Sequence, residues 1–233
     1  ASLGRTIRGR RGVVNGISHA VDGDRRAAGL PRVDPRLCLH VVSHFFAYLA
    51  RMKFIQRWGL MRNTNLENIQ EHSLQVAMIA HALAVLKNRR FGASIDPERT
   101  ALLAVFHDAE EVITGDLPTP IKYFSPQVAQ AIDSVEAVAK ERLLGMLPSD
   151  LREDYEELFF PSLDDDEAWA CVKAADKICA YLKCIEEHKA GNAEFGRAEE
   201  TIRVQLEASE DPAVGVFLET FVPSFRLTLD ELN

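Results

Sequence analysis

Residues 67–83 read ENIQEHSLQVAMIAHAL, and this stretch decides the fold class. Ile69, Val76, Ile79, Ala80, Leu83 and, just beyond it, Leu86 recur at steps of three and four, the spacing of one face of an α-helix. Asn68 stands at the N-cap position, with Glu71 three residues on as a capping-box partner. Lys87, Arg89 and Arg90 close the segment, where positive charge meets the negative end of the helix dipole. One member of the buried stripe is polar: His72, three after Ile69 and four before Val76.

The same period governs the flanks. A helix over about 40–56 precedes this one. Asp96 followed by Pro97, a cap with proline at the first helical position, opens a third that runs to about Thr114, with Gly115 as the residue past its end. Ser125 and Pro126 open a fourth, reaching about Met146, and a short helix covers roughly 149–159. Asp164, Asp165 and Asp166 cap a long helix ending before Gly191; another covers about 193–209, and Asp211 with Pro212 opens a last one ending before Pro223. There is no convincing alternating strand, internal repeat or glycine-rich phosphate loop. The expected fold is an all-α bundle, one domain over 37–233. The first 36 residues, with six Gly, eight Arg and no sustained apolar period, read as a flexible extension.

Composition narrows the function classes. With 47% hydrophobic and 27% charged residues in 233, the chain is ordinary for a soluble domain. No apolar run approaches the roughly 18 residues of a membrane span. Cys38, Cys171, Cys179 and Cys184 form no CxxC pair and read as reduced thiols of a cytoplasmic protein. The net charge of −8 divides into +5 on residues 1–36 and −13 on the rest. An acidic body argues against a binder of polymeric nucleic acid, whose affinity comes from basic contacts to phosphates. It leaves open a small phosphate ligand held by a local cationic pocket.

The chemistry concentrates around His107 and Asp108, expected within the third helix, with Glu111 one turn on. A His-Asp pair arises readily by chance, and three ionisable groups on one helix face read first as a solvated surface. Two other positions weigh against that. His72 lies in an apolar stripe, and Asp176 lies between Val172 and Cys179 on the apolar side of the long helix. A buried carboxylate is costly unless paired or bound to a metal. His72 by itself reads as a satisfied core histidine, and Asp176 reads equally as a partner of Lys173 or Lys177. Together, His72, His107, Asp108 and Asp176 supply two imidazoles and two carboxylates from three helices. Such a set suits one divalent ion (Co, Mn, Zn, Fe or Mg), with positions left for water and substrate.

These four positions resemble the H…HD…D pattern of the HD-domain metal-dependent phosphohydrolases. The likeness is closer than that superfamily. RWGLMRN (57–63), ENIQEHSLQVAMIAHAL (67–83), HDAEEVITGDLPTPIKYF (107–124), AADKICAYLKCIEE (174–187) and FVPSFRLTLDE (221–231) look like the bacterial 5′-deoxynucleotidases of the YfbR kind, over about residues 42–231. The resemblance implies hydrolysis of deoxyribonucleoside 5′-monophosphates with a divalent metal, and a homodimer. It implies that Arg57 orients the phosphate, where a planar guanidinium suits bidentate recognition. Trp58 contacts the substrate, and its bulk could crowd out a 2′-hydroxyl. Glu111 positions or deprotonates the water, with Glu110 beside it taken as a plain surface glutamate. Asp116, Leu117, Pro118 and Thr119 form a substrate-binding turn stiffened by Pro118 and Pro120, in which Asp116 serves as acid to the leaving oxygen or as a sugar acceptor. Lys122 and Ser73 are weaker phosphate candidates.

Two alternatives stand beside this. Another HD-type phosphohydrolase could act on a cyclic nucleotide or ppGpp, although the latter typically carries HDxxED and Val112 occupies the final position here. A catalytically inactive nucleotide-binding HD protein would lack a ligand or an acid/base group, and none is missing.

Overall fold

The computed structural model describes residues 42–232; the expected N-terminal extension and Cys38 lie outside the described residues. The bundle is built on α2 (Ile69–Phe91), which packs most extensively against α3 (Pro97–Phe106) and α8 (Asp166–Lys189). All six apolar residues of the expected α2 stripe are buried, and His72 and Ser73 are buried with them. The Asn68 side chain accepts from the backbone amides of Gln70 and Glu71, each at 3.1 Å, which satisfies two of the four donors a helix start leaves over. Gly92 closes the helix with φ +75°, a left-handed position that glycine takes without steric cost.

Around this trio α9 (Gly196–Glu207) packs on α8, and α10 (Pro212–Thr220) packs on α2. Asp96, Ser125 and Asp211 cap α3, α6 (Pro126–Leu144) and α10, each followed by proline in the first turn. A short α7 (Arg152–Phe159) lies against α3 and α6. Among the described residues there is no strand; an isolated antiparallel bridge joins Gln56 to Asn68.

Three expectations change. The helix placed over 40–56 is only α1 (Phe45–Leu49), followed by a 3₁₀ turn at Met52–Phe54. The acidic cluster before α8 makes no side-chain cap. Asp165 instead takes a bidentate contact from Arg99, at 3.0 Å from Nε and 2.7 Å from Nη2, because the charged fork outcompetes a neutral amide.

The third change concerns the site. The helix expected to run to Thr114 ends at Phe106 and resumes as α4 (Glu111–Thr114). Between them the amides of His107, Ala109 and Glu111 bond to carbonyls three residues back, the tighter 3₁₀ pattern. His107 and Asp108 therefore sit in a break between helices.

Candidate active site

The break delivers His107 and Asp108 to the face of α2 where His72 emerges, and α8 brings Asp176 to the same place. His72 Nε2 lies 3.0 Å from Asp176 Oδ1 and 3.7 Å from Asp108 Oδ2; His107 Nε2 lies 3.1 Å from Asp108 Oδ2. Ligand atoms of His72, His107 and Asp108 all fall within 4.8 Å of one another. Asp176 stands at the open side, its side chain 44% exposed. Lys173 and Lys177 point to solvent, so the pairing that could have explained Asp176 is not made.

The donor set fits a divalent cation on an observation of its own. Both Nε2 atoms are buried, and neither meets an acceptor in hydrogen-bonding geometry. Buried polar nitrogens are rarely left so. His107 Nδ1 lies 2.7 Å from the Ala104 carbonyl, which can only accept, so Nδ1 carries a proton and Nε2 faces the cluster. Burial opposes charge on both imidazoles. At His72 burial wins, helped by Arg57, and the ring is held neutral below its usual range. At His107 the Asp108 carboxylate outweighs burial and lifts the ring to about 9. The gap between Nε2 and Asp108 thus attracts positive charge, whether a proton or a metal ion. The carboxylates respond in turn: against burial, His107 holds Asp108 below the ordinary carboxylate range, and His72 does the same for Asp176.

Arg57 faces the cluster from the segment between α1 and α2. Its Nη1 lies 3.5 Å from Asp108 Oδ2 and its Nη2 3.9 Å from Asp176 Oδ1. Burial works against the guanidinium's charge, yet Asp108, Asp176, Glu67 and Asp116 hold its pKa above the usual value. Trp58 follows with φ +59°, among the described residues the one non-glycine position in left-handed backbone. Such strain persists only where surrounding contacts hold it, and it clusters at functional sites.

Glu111 opens α4, half-buried, with Oε2 unpartnered. Burial raises its carboxyl to about 9, and the charges of Asp108 and Asp116 push the same way. Glu110 is not the surface residue expected. It is 4% exposed, lies 3.3 Å from Lys140 Nζ, and burial raises it to about 7. Asp116 follows Gly115 at the end of α4; burial raises its carboxyl while Arg57 and the Trp58 amide oppose the rise. Leu117, Pro118 and Thr119 lead from it into α5 (Thr119–Lys122), a short helix where only a turn was expected. Leu117 and Pro118 are half-buried and Thr119 is exposed, and none of the three side chains bonds to the cluster. Lys122 is ion-paired with Glu136 at 2.7 Å, and Ser73 is buried beside His72 in sequence with its hydroxyl unpartnered.

Residues 44–225 match the family described as 5′-deoxynucleotidase YfbR-like. The chain belongs to this family. The 5′-deoxynucleotidase of Vibrio cholerae is 56% identical over 191 residues, 82% of this chain and 98% of that protein. The 5′-deoxynucleotidase YfbR of Escherichia coli is 53% identical over 195 residues, 82% of this chain and 96% of that one. Two solved structures share the fold at lower identity. An HD-domain phosphohydrolase of Listeria innocua superposes with TM-score 0.67 at 20% identity, covering 78% of this chain and 88% of that one. An HD phosphohydrolase of cyanophage S-2L, bound to dA and one catalytic Zn2+ ion, superposes with TM-score 0.53 at 19% identity, covering 76% and 96%. The YfbR-like chain is an enzyme, a 5′-deoxynucleotidase, and its HD-domain helical fold is the one the motif implied.

Two groups beside the YfbR-like site carried no signal in the motif. Glu67 touches both Arg57 and Trp58. Lys183 and Glu187, buried on α8, hold the backbone of Thr64 and Asn65. A lysine and a glutamate four apart on a helix read as a solvated pair unless burial is known.

Proposed function

We propose that the YfbR-like chain hydrolyses deoxyribonucleoside 5′-monophosphates to deoxyribonucleosides and inorganic phosphate, with one divalent metal ion held by His72, His107, Asp108 and Asp176. The observation that carries this is the pair of buried, unpartnered Nε2 atoms facing two carboxylates, with Arg57 across from them. Co, Mn, Zn, Fe and Mg all suit such a donor set. When bound, the ion supplies Lewis acidity toward the phosphate and lowers the pKa of a water.

Arg57 orients the phosphate with its two Nη groups, which face the same carboxylates as the metal. Glu111 takes the proton of the attacking water. Burial and the charges of Asp108 and Asp116 favour its protonated form; a cation that neutralised Asp108 would lower this proton affinity toward the ionised form in which Glu111 can accept that proton. Water oxygen bonds to phosphorus as the bond from phosphorus to the 5′-oxygen breaks, and Asp116 gives that oxygen its proton. Burial favours the protonated form of Asp116, and the charge of Arg57 opposes it. Trp58 narrows the sugar site against a 2′-hydroxyl, with Leu117, Pro118 and Thr119 as the opposite rim. A ppGpp hydrolase is less well supported, since the position that carries its final carboxylate is the buried Val112.

Among the described residues no helix is long and apolar enough to cross a membrane. Cys171, Cys179 and Cys184 are free and buried, in keeping with a cytoplasmic enzyme. A homodimer is in keeping with the apolar side chains exposed on α2 and α6, such as Met78 and Val138.

Phosphate release from dAMP, dGMP, dCMP, dTMP and dUMP beside their ribo counterparts, in Mn or Co, tests the reading. A strong preference for the deoxy set is expected. Equal rates on AMP and dAMP would remove the sugar claim, and no release with any metal would remove the function.

A further inference from the structure

The substrate-facing residues Arg57 and Trp58 both lean on one carboxylate. Glu67 Oε2 lies 3.1 Å from Arg57 Nε and accepts from the Trp58 indole Nε1 at 3.3 Å. The Glu67 side chain is 14% exposed, so these contacts are shielded from bulk water. Its backbone is tied in as well: the Arg57 amide donates to the Glu67 carbonyl at 2.9 Å. The chain from Arg57 to Glu67 is therefore a loop closed at its neck, and the neck's own side chain reaches back to the two residues that open it.

Each contact has a distinct physical job. The Nη groups of Arg57 face Asp108 and Asp176. A cation held there would neutralise those two carboxylates, and a phosphate would take the Nη groups. Glu67, on the Nε edge, is the counter-charge that stays with the guanidinium through both events. Trp58 has the opposite need. Its left-handed backbone is strained for an L side chain, so its ring must be held. Phe195, fully buried, packs on one side at 5.3 Å between ring centroids. Glu67 is the polar handle on the indole.

We propose that Glu67 is a positioning residue that couples phosphate recognition to sugar discrimination, by holding Arg57 and Trp58 in one fixed relation. This rests on the roles given to those two residues above. It means that the enzyme's grip on phosphate and its rejection of a 2′-hydroxyl are not independent.

Four variants separate the two arms, three single substitutions and one double, each assayed for kcat and KM on dAMP and AMP, with helix content followed by circular dichroism. Glu67→Gln keeps an acceptor for the indole and loses the charge facing Arg57. It should raise KM for dAMP about tenfold and keep most of the dAMP-over-AMP ratio. Glu67→Ala loses both contacts, and the ratio itself should fall severalfold. Trp58→Phe keeps an aromatic ring without the indole N–H. It should lower the ratio in the wild-type background and change it little further in the Glu67→Ala background, the non-additivity that marks a shared contact. Full additivity of Trp58→Phe and Glu67→Ala, or a Glu67→Ala enzyme with an unchanged ratio, overturns the coupling. A wild-type enzyme indifferent to the 2′-hydroxyl instead overturns the underlying reading of Trp58. In that event an unchanged KM in Glu67→Gln overturns the Arg57 arm as well.

Discussion

Lys183 and Glu187 form an ion pair one turn apart on α8, buried in the protein at 4% and 0% exposure. Glu187 also accepts from the amides of Thr64 and Asn65, from the Thr64 hydroxyl, and from Asn192. Lys183 donates in turn to the Asn65 carbonyl and stands over the Phe195 ring. The pair is the anchor by which α8, carrier of Asp176, fixes the segment that carries Arg57 and Trp58. Two charges out of water are tolerated because nearly every lone pair and proton is used. Removing one partner leaves an uncompensated buried charge. Lys183→Met is therefore expected to cost roughly 3–5 kcal/mol, and Lys183→Met with Glu187→Leu markedly less than the sum of the single changes. Urea denaturation of the three variants measures this. A Lys183→Met protein as stable as wild type removes the anchor.

The same carboxylate sets an acid limit. Burial pushes Glu187 up, but Lys183, Thr64 and Asn192 outweigh it and hold the group below the ordinary carboxylate range. An unfolded glutamate titrates near 4.3. A group depressed on folding contributes its stability in full above the unfolded pKa and loses it as pH falls toward the folded one. Asp165, depressed chiefly by its bond from Arg99, acts in the same direction. The gap in denaturation midpoint between wild type and Glu187→Gln should hold steady above about pH 5 and narrow below about pH 4.5. Glu187→Gln should start lower and fall less steeply, and two parallel curves would mean that Glu187 titrates alike in both states.

Metal occupancy can be tested apart from turnover. On the proposed ligand set, His107→Ala and Asp176→Ala each remove one donor, the first from the His72–His107–Asp108 cluster and the second from beside His72. Both should lose phosphate release and bind less than one equivalent of Mn or Co after gel filtration, while helix content stays near wild type. His107 is the sharper case, because its Nδ1 contact to Ala104 already assigns the cluster-facing nitrogen. Chelation of the wild type should abolish turnover and re-addition restore it. A variant that keeps both its metal and its activity refutes the ligand set.

The site was legible where polarity interrupted a pattern. His72 stood in the α2 stripe and Asp176 on the apolar side of α8, and both were visible as residues needing a reason. The break at 107–110 was not legible. Leu103, Phe106, Glu110 and Ile113 continue at steps of three and four, so periodicity runs through it. The tighter turns advance about 120° per residue instead of 100°, and over four residues this rotates α4 by roughly 80°. Glu110 lies on that same stripe and turns inward onto Lys140, so its place with Leu103 and Phe106 was a sign of burial that the comparison with Glu111 obscured. Glu67 was hidden for a different reason. Its partners lie nine and ten residues back across a closed loop, and no local rule joins them.

The turn after α4 offers a test in which backbone alone is varied. Gly115 has φ +75° and ψ 161°, a region essentially restricted to glycine, whereas Gly92 at the end of α2 has φ +75° and ψ 17°, the ordinary left-handed cap. Neither meets a neighbouring atom where a Cβ would stand, so an added methyl group costs conformation and not contact. Gly92→Ala should lower stability by roughly 1 kcal/mol, the ordinary penalty for a left-handed alanine. Gly115→Ala should cost about 1–3 kcal/mol. The two differ more in consequence. Gly92 ends a helix on the way to α3, while Gly115 joins the α4 turn bearing Glu111 to Asp116. If Asp116 must meet the leaving oxygen from a fixed position, Gly115→Ala lowers kcat on dAMP by an order of magnitude or more, and Gly92→Ala leaves it near wild type. Matched kcat values in the two variants, at temperatures where both are folded, would show that the turn does not set the position of Asp116.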